Sequence, residues 1–225
     1  MKTFIEASIF ILEKIEKIIF PPCCLICGKQ TKNIWCRKCK KRLENQAVYT
    51  IKNAENNNFF DKQIYIFLYK NEIRKLIIDY KFNDKAYLYK IFSQIIIKNK
   101  KICGILEKYD IIIPVPIHYI RKKQRGYNQS ELVAREIAKY IKNLRIENKI
   151  FKKIKNNKPQ SLLNRKERKR NVENVYKIEE KDKIKNKNII IFDDIYTTGN
   201  TVNELAKILK ENGAKNILVL TIAKD

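Results

Sequence analysis

Glycine and proline are scarce in this chain, five of each in 225 residues, and there is a single histidine, a single tryptophan and a single methionine. Acidic residues are outnumbered, 24 Asp and Glu against 49 Lys and Arg, which leaves a formal charge of +25. No apolar run is long enough for a membrane span. Charges interrupt each one well short of the roughly 20 residues a spanning helix needs. The opening lacks a strongly positive segment followed by a clean apolar core and a cleavage site, so it makes a poor signal peptide. The six cysteines are clustered, not spread as in a secreted disulfide framework. These absences describe a cytoplasmic protein with no transmembrane segment, long enough for one sizeable core and a small appendage.

The basic excess is mostly lysine, 39 against 10 arginines. An AT-rich genome produces such a bias, yet a field this positive also attracts polyanions at low salt. A solvated Lys-rich surface and functional nucleic-acid contact both remain open on composition alone.

Residues 1–20 place Phe4, Ile5, Ile9, Leu12, Ile15 and Ile19 at helical spacing against Lys2, Glu6, Glu13, Lys14, Glu16 and Lys17, which predicts an amphipathic helix packed on its neighbouring module or a partner. Two Cys-x-x-Cys turns follow, Cys24/Cys27 and Cys36/Cys39. Four thiolates on two such turns can surround a tetrahedral Zn²⁺, and a site filled by four protein ligands is structural. Cys23 could replace Cys24 as the first ligand, but Cys24 makes the two turns equivalent. Cys103 reads as a free, buried small hydrophobe. Residues 45–62 are Asn-rich and polar and read as a linker. The boundary is expected near residue 50, with a metal module at 1–50 and an α/β domain at 51–225.

In that domain Gln63 to Tyr69 alternate as a strand, and Glu72 to Tyr80 and Asp84 to Lys98 look helical. Asp110 to Pro116 predict a buried strand ending in a Pro-rich turn, followed by Arg121, Lys122, Lys123 and Arg125, then a helix to about Lys142. Four cations in five residues at the carboxyl end of a strand suit a pyrophosphate. His118 reads as a polar loop residue. Residues 152–187 carry 14 basic and 5 acidic residues. Asn216 to Ile222 supply a last buried strand.

The chain is organised around residues 189–201. Ile189 to Phe192 are a continuous apolar run, as in a strand buried on both faces of a parallel sheet. Asp193 and Asp194 stand where it should end, then Thr197, Thr198, Gly199, Asn200 and Thr201, then an amphipathic helix from Val202 to Asn212. Ligands in open α/β sheets sit beyond the carboxyl ends of the strands, and a helix start attracts phosphate. Gly199 lets the backbone approach an anion, and the threonine hydroxyls add donors. The two carboxylates suit ribose hydroxyls or a Mg²⁺ that bridges to the ligand.

The string Phe-Asp-Asp-Ile-Tyr-Thr-Thr-Gly-Asn-Thr resembles the phosphoribosyl-pyrophosphate (PRPP) motif of type I phosphoribosyltransferases, with Asn200 where a smaller residue is common. Pro114-Val115-Pro116 with Arg125-Gly126-Tyr127-Asn128-Gln129, then Gln160-Ser161-Leu162 with Glu167-Arg168 and Asn171-Val172, and the two cysteine turns extend the likeness over nearly the whole chain. Together they resemble the ComF/ComFC competence family. That resemblance implies a type I phosphoribosyltransferase fold, a mostly parallel sheet flanked by helices, behind a small zinc-binding module. It implies PRPP bound with Mg²⁺ by Asp193, Asp194, Thr197, Thr198, Gly199, Asn200, Thr201, Arg121 and Arg125. If the site is catalytic, Asp193, Asp194, Arg125 and Arg168 carry the reaction, the arginines neutralising the departing pyrophosphate. The basic run at 152–187 falls where such enzymes carry a mobile lid. Lys81-Phe82 matches a Lys-Tyr/Phe element of the family, without the glycine that often follows, so Lys81 reads as an ordinary surface lysine with a faint claim to a phosphate. The family also connects the chain with incoming single-stranded DNA and the competence machinery. Lys122, Lys123, Arg125 and Tyr127 are then the candidate DNA contacts, with Trp35 as a second stacking group. The alternative is a PRPP-dependent transferase of nucleotide metabolism or salvage without a DNA role. No segment reads as a base-recognising hood.

Overall fold

The computed structural model describes residues 21–155 and 175–225. The helix expected over residues 1–20 and the Gln160, Arg168 and Asn171 elements lie outside the described residues. The chain divides into two compact units, 1–45 and 46–225.

In the first unit, the N–H of Gly28 donates to the Cys24 carbonyl and closes the first cysteine turn, with Gly28 at φ 75°. The second turn opens helix α1, Arg37–Gln46, which buries Cys39 and Leu43 one turn apart. Trp35 is buried as well.

The second unit holds a six-stranded sheet in the order β1-β2-β8-β7-β3-β4. Its strands are β1 (Thr50–Asn53), β2 (Lys62–Leu68), β3 (Ile111–Pro114), β4 (Arg145–Ile146), β7 (Asn188–Tyr196) and β8 (Asn216–Lys224). Only β1 runs antiparallel to its neighbour. A separate antiparallel ribbon pairs β5 (Phe151–Lys153) with β6 (Tyr176–Ile178). Helices α2 (Asn71–Phe82), α3 (Tyr89–Ile97), α4 (Lys100–Leu106), α5 (Tyr119–Arg125), α6 (Gln129–Tyr140) and α7 (Asn200–Glu211) complete it.

The Ile-rich runs form the central strands because both faces are covered. Ile111, Ile113, Ile189, Ile191, Ile217 and Val219 pack with Val202, Leu205, Ala206 and Leu209 of α7 on one face. Phe192, Ile190 and Ile112 alternate to the other, where α6 packs on β3 and β7.

Three sequence readings shift. The segment 45–62 is not only a linker. It contains β1, an edge strand held by ladder pairing with β2 (Thr50↔Tyr65, Ile51↔Ile64) and not by an apolar pattern of its own. Strand β2 is buried continuously from Gln63 to Phe67 instead of on alternate residues, because it lies inside the sheet between β1 and β8. The helix expected from Asp84 begins only at a 3₁₀ turn, Ala86–Leu88. Asp84 takes φ 52°, and Asp79 accepts hydrogen bonds from Asn83 and Lys85, which folds the chain back at the end of α2.

Candidate functional site

Strand β7 runs four residues beyond the apolar run, through the acidic pair to Tyr196. On the β3 side its pairing stops at Phe192↔Pro114, while on the β8 side it continues to Tyr196↔Lys224. Asp193 and Asp194 therefore stand where one neighbour has ended and the other has not. This opens the carboxyl edge of the sheet beside them. Strand alternation sends the two carboxylates to opposite faces.

Asp194 is 3% exposed and faces α2, where Lys81 Nζ lies 2.8 Å from its Oδ1. Its Oδ2 is buried without a hydrogen-bond partner. Asp193 starts from the α7 face, and its carboxylate reaches past the end of β3 to the start of α6. It retains some accessible surface, and its Oδ1 accepts from the Ser130 hydroxyl at 3.3 Å and from the Asp194 N–H at 2.9 Å. Burial, then the charge of Asp194, pushes the Asp193 carboxyl up to about 7, against the pull of Lys81 and these two donors.

After Tyr196 the chain turns through Thr197, Thr198 and Gly199 into α7. Gly199 sits at φ 75° as the N-cap of α7. A Cβ there would lie 2.2 Å from Tyr196 Oη, so only glycine lets the loop pass over that ring. Having no side chain, Gly199 leaves the first turn of α7 uncapped, with its N–H groups aimed at whatever lies beyond. Thr198 Oγ1 is likewise buried without a partner. Asn200, the departure from the smaller residue, is the first residue of α7. Thr201 hydrogen-bonds the Tyr176 side chain on β6.

On the other flank, α5 carries the basic run. His118 is the polar loop residue expected, buried, and it caps α5 because its Nδ1 accepts from the Ile120 N–H. Gly126, at φ 82°, ends α5. Asn128 then caps α6 through Oδ1 and donates to the Val115 carbonyl, which ties the turn to the end of β3. Arg121 and Arg125 are half-buried, whereas Lys122 and Lys123 are exposed. Arg125 donates to Gln129 Oε1. Burial lowers the Arg125 guanidinium from its usual value, and Asp194 opposes that shift. Tyr127 donates its hydroxyl to the Tyr80 carbonyl and stacks on the Tyr80 ring. Arg168 lies outside the described residues.

The structure thus brings Asp193, Asp194, the 197–201 loop and Arg125 to one edge of the sheet. Three further residues join them that sequence reasoning missed. Lys81 is not an ordinary surface lysine but the partner of Asp194, and the Lys-Phe element was its one signal. Ser130 had none beyond its place after the cap Asn128. Lys153 lies with its Nζ 5.6 Å from the centroid of the Tyr176 ring. Burial brings this amine down to about 8, with Arg121 adding to the shift and Asp193 opposing it.

In the first unit, the Sγ atoms of Cys24, Cys27, Cys36 and Cys39 all lie within 4.8 Å of one another and could hold a metal ion. Cys23 is exposed and bridges backbone to Gln30 instead. Burial acts upward on the Cys24 thiol, but the N–H groups of Cys36, Cys27 and Ile26 outweigh it and bring it down to about 6. Cys103 is buried and donates to the Ile97 carbonyl at 3.2 Å.

A mostly parallel sheet with an acidic pair and a glycine turn at its carboxyl edge defines a type I phosphoribosyltransferase fold. The phosphoribosyl transferase domain family matches residues 105–225. Competence protein F of Haemophilus influenzae is 28% identical over 208 residues, 89% of this chain and 90% of its own length. The DNA utilization protein YhgH of Escherichia coli O6:H1 is 31% identical over 119 residues, 53% of this chain and 51% of its own. Competence protein ComFC of Streptococcus pneumoniae is 29% identical over 160 residues, 71% of this chain and 66% of its own. The chain belongs to the phosphoribosyl transferase domain family, as a ComF-type phosphoribosyltransferase-like protein. Among the described residues no helix is long and apolar enough to cross a membrane.

Proposed function

We propose that the sheet edge binds PRPP with Mg²⁺, and that the protein uses this site in the cytoplasm while handling incoming single-stranded DNA during natural competence. The observation that carries the reading is a pair of buried, unpartnered polar atoms, Asp194 Oδ2 and Thr198 Oγ1, in the stretch that leads into the Gly199 turn. Buried polar groups are normally satisfied, so two such atoms in one loop region suit a bound polar ligand. The 5′-phosphate takes the N–H groups and hydroxyls of Thr197, Thr198, Gly199, Asn200 and Thr201. Asp193 and Asp194 take the ribose hydroxyls. Arg121 and Arg125 take the pyrophosphate, joined on sequence grounds alone by Arg168. Bound Mg²⁺ would neutralise pyrophosphate charge, and the carboxylate and phosphate oxygens fit such a hard cation. Names of relatives supply the DNA role, and the exposed Lys122 and Lys123 beside Arg125 support it.

Calorimetry with PRPP and Mg²⁺ tests the reading. Binding by the parent and none by Asp193→Ala/Asp194→Ala is expected. Equal inertness of both ends it. Turnover is a second reading, in which Arg125, half-buried at the end of α5, stabilises the departing pyrophosphate. There the C1–O bond breaks, the electron pair leaves with pyrophosphate and an acceptor nucleophile bonds to C1. Pyrophosphate release with an added acceptor distinguishes the two.

For the four cysteines we propose structural Zn²⁺. Tetrahedral Zn–S bonds of about 2.3 Å put sulfurs about 3.8 Å apart, and Cys27 Sγ to Cys36 Sγ is 3.8 Å.

A further inference from the structure

Resting on the DNA-handling reading above, we propose that Phe82 is a stacking platform for one nucleobase of a single-stranded nucleic acid whose phosphates run along α5. The two aromatic residues that the sequence suggested for stacking are committed elsewhere. Trp35 is 6% exposed. Tyr127 stacks on Tyr80 with ring centroids 5.9 Å apart and spends its hydroxyl on the Tyr80 carbonyl. Phe82, by contrast, is 69% exposed.

Its place in the fold gives the exposure a purpose. Phe82 is the last residue of α2, directly after Lys81, whose ammonium reaches Asp194. Successive helix residues project about 100° apart, so anchoring Lys81 inward turns Phe82 out at the rim of the same site. The platform is held at several points. The Tyr80 hydroxyl donates to the Gln129 carbonyl at 2.7 Å, and Tyr127 donates back to Tyr80. These bonds clamp the end of α2 to the turn between α5 and α6. Arg125, bonded to Gln129, brings its guanidinium carbon 5.2 Å from the Phe82 ring centroid.

An open aromatic face with a fixed cation against it, next to exposed lysines, is the arrangement that binds a base and its phosphates together. Lys122 and Lys123 extend the positive surface beyond Arg125 along α5. A free base carries no charge for those lysines to engage, so the charge pattern favours a strand.

The test uses the full-length, metal-loaded protein, a short oligothymidylate and an abasic strand of equal length. Both strands offer the same phosphates, so their affinity ratio isolates stacking. The parent should prefer oligothymidylate about 10-fold, and Phe82→Ala should abolish that preference. Phe82→Trp should keep it and show tryptophan quenching by oligothymidylate but not by the abasic strand. That variant decides the matter if the alanine protein misfolds. Both variants should bind PRPP as the parent does. An unchanged ratio in Phe82→Ala, or no quenching in Phe82→Trp, overturns the proposal. So does loss of uracil or adenine binding in the presence of PRPP with strand binding intact, which would make Phe82 a free-base platform. Failure of the parent to bind PRPP refutes the phosphoribosyl reading, while the strand ratio still decides Phe82.

Discussion

Lys81 and Asp194 form a 2.8 Å ion pair that joins the end of α2 to the central strand β7, with the lysine side chain 19% and the carboxylate 5% exposed. Removing one member of a buried pair strands the other charge. Lys81→Met should therefore destabilise the domain by about 3 kcal/mol in urea unfolding. The double variant Lys81→Met/Asp194→Asn should recover part of that loss. A cost for Lys81→Met no greater than that of a surface substitution would show that the pair is incidental.

Gly199→Ala places a Cβ 2.2 Å from Tyr196 Oη and 2.5 Å from Cζ, at a φ of 75° that alanine disfavours. Strain of about 1–3 kcal/mol is expected, with loss of PRPP affinity because the phosphate loop must move. Adding Tyr196→Phe removes the hydroxyl but not the ring carbon or the φ, so it should restore little. Thermal melting and calorimetry on the three proteins check this.

The acidic pair should make both stability and binding depend on pH. Asp193 is raised to about 7 from an ordinary value of 3.8, so the folded protein holds a proton that the unfolded chain has already released. The stability this contributes is fully present below about pH 4 and is lost as pH rises to about 7, beyond which it stays flat. Asp193→Asn should flatten that slope in melts recorded across the range. PRPP with Mg²⁺ should bind more tightly as pH rises through the same interval in the parent, since the cation and the donating ribose hydroxyls favour the ionised carboxylate.

The cysteine module should hold one Zn²⁺ per chain, measurable by metal analysis of protein purified without chelator. Metal binding supplies on the order of 10 kcal/mol of folding free energy at such sites. Cys24→Ser should lose the metal and Cys23→Ser should keep it. The opposite result would assign the first ligand to Cys23. Chelation should abolish the structure of the first unit and leave PRPP affinity largely intact.

Local chemistry made much of this protein legible before any fold was known. The Ile189–Phe192 run pointed to a strand buried on both faces because a half-exposed strand normally alternates apolar with polar residues. Gly199 marked a turn because glycine takes left-handed backbone conformations at no steric cost. The two cysteine turns, each with two residues between its thiols, named their own cluster. What the sequence left unspecified depended on residues far apart in the chain. Lys81 meets Asp194 across 113 positions, and nothing in the local pattern of α2 separates it from the other lysines. Tyr127 looked like an open ring and proved to be stacked on Tyr80, whereas Phe82, its opposite, had no local mark of exposure. Strand β1 was hidden because an edge strand is held by the partner's backbone and needs no apolar period. Periodicity and backbone preference act over a few residues and survive in the sequence. Which charge is paired, which ring is covered and which edge is open depend on how the sheet is ordered, and the tertiary structure alone decided that.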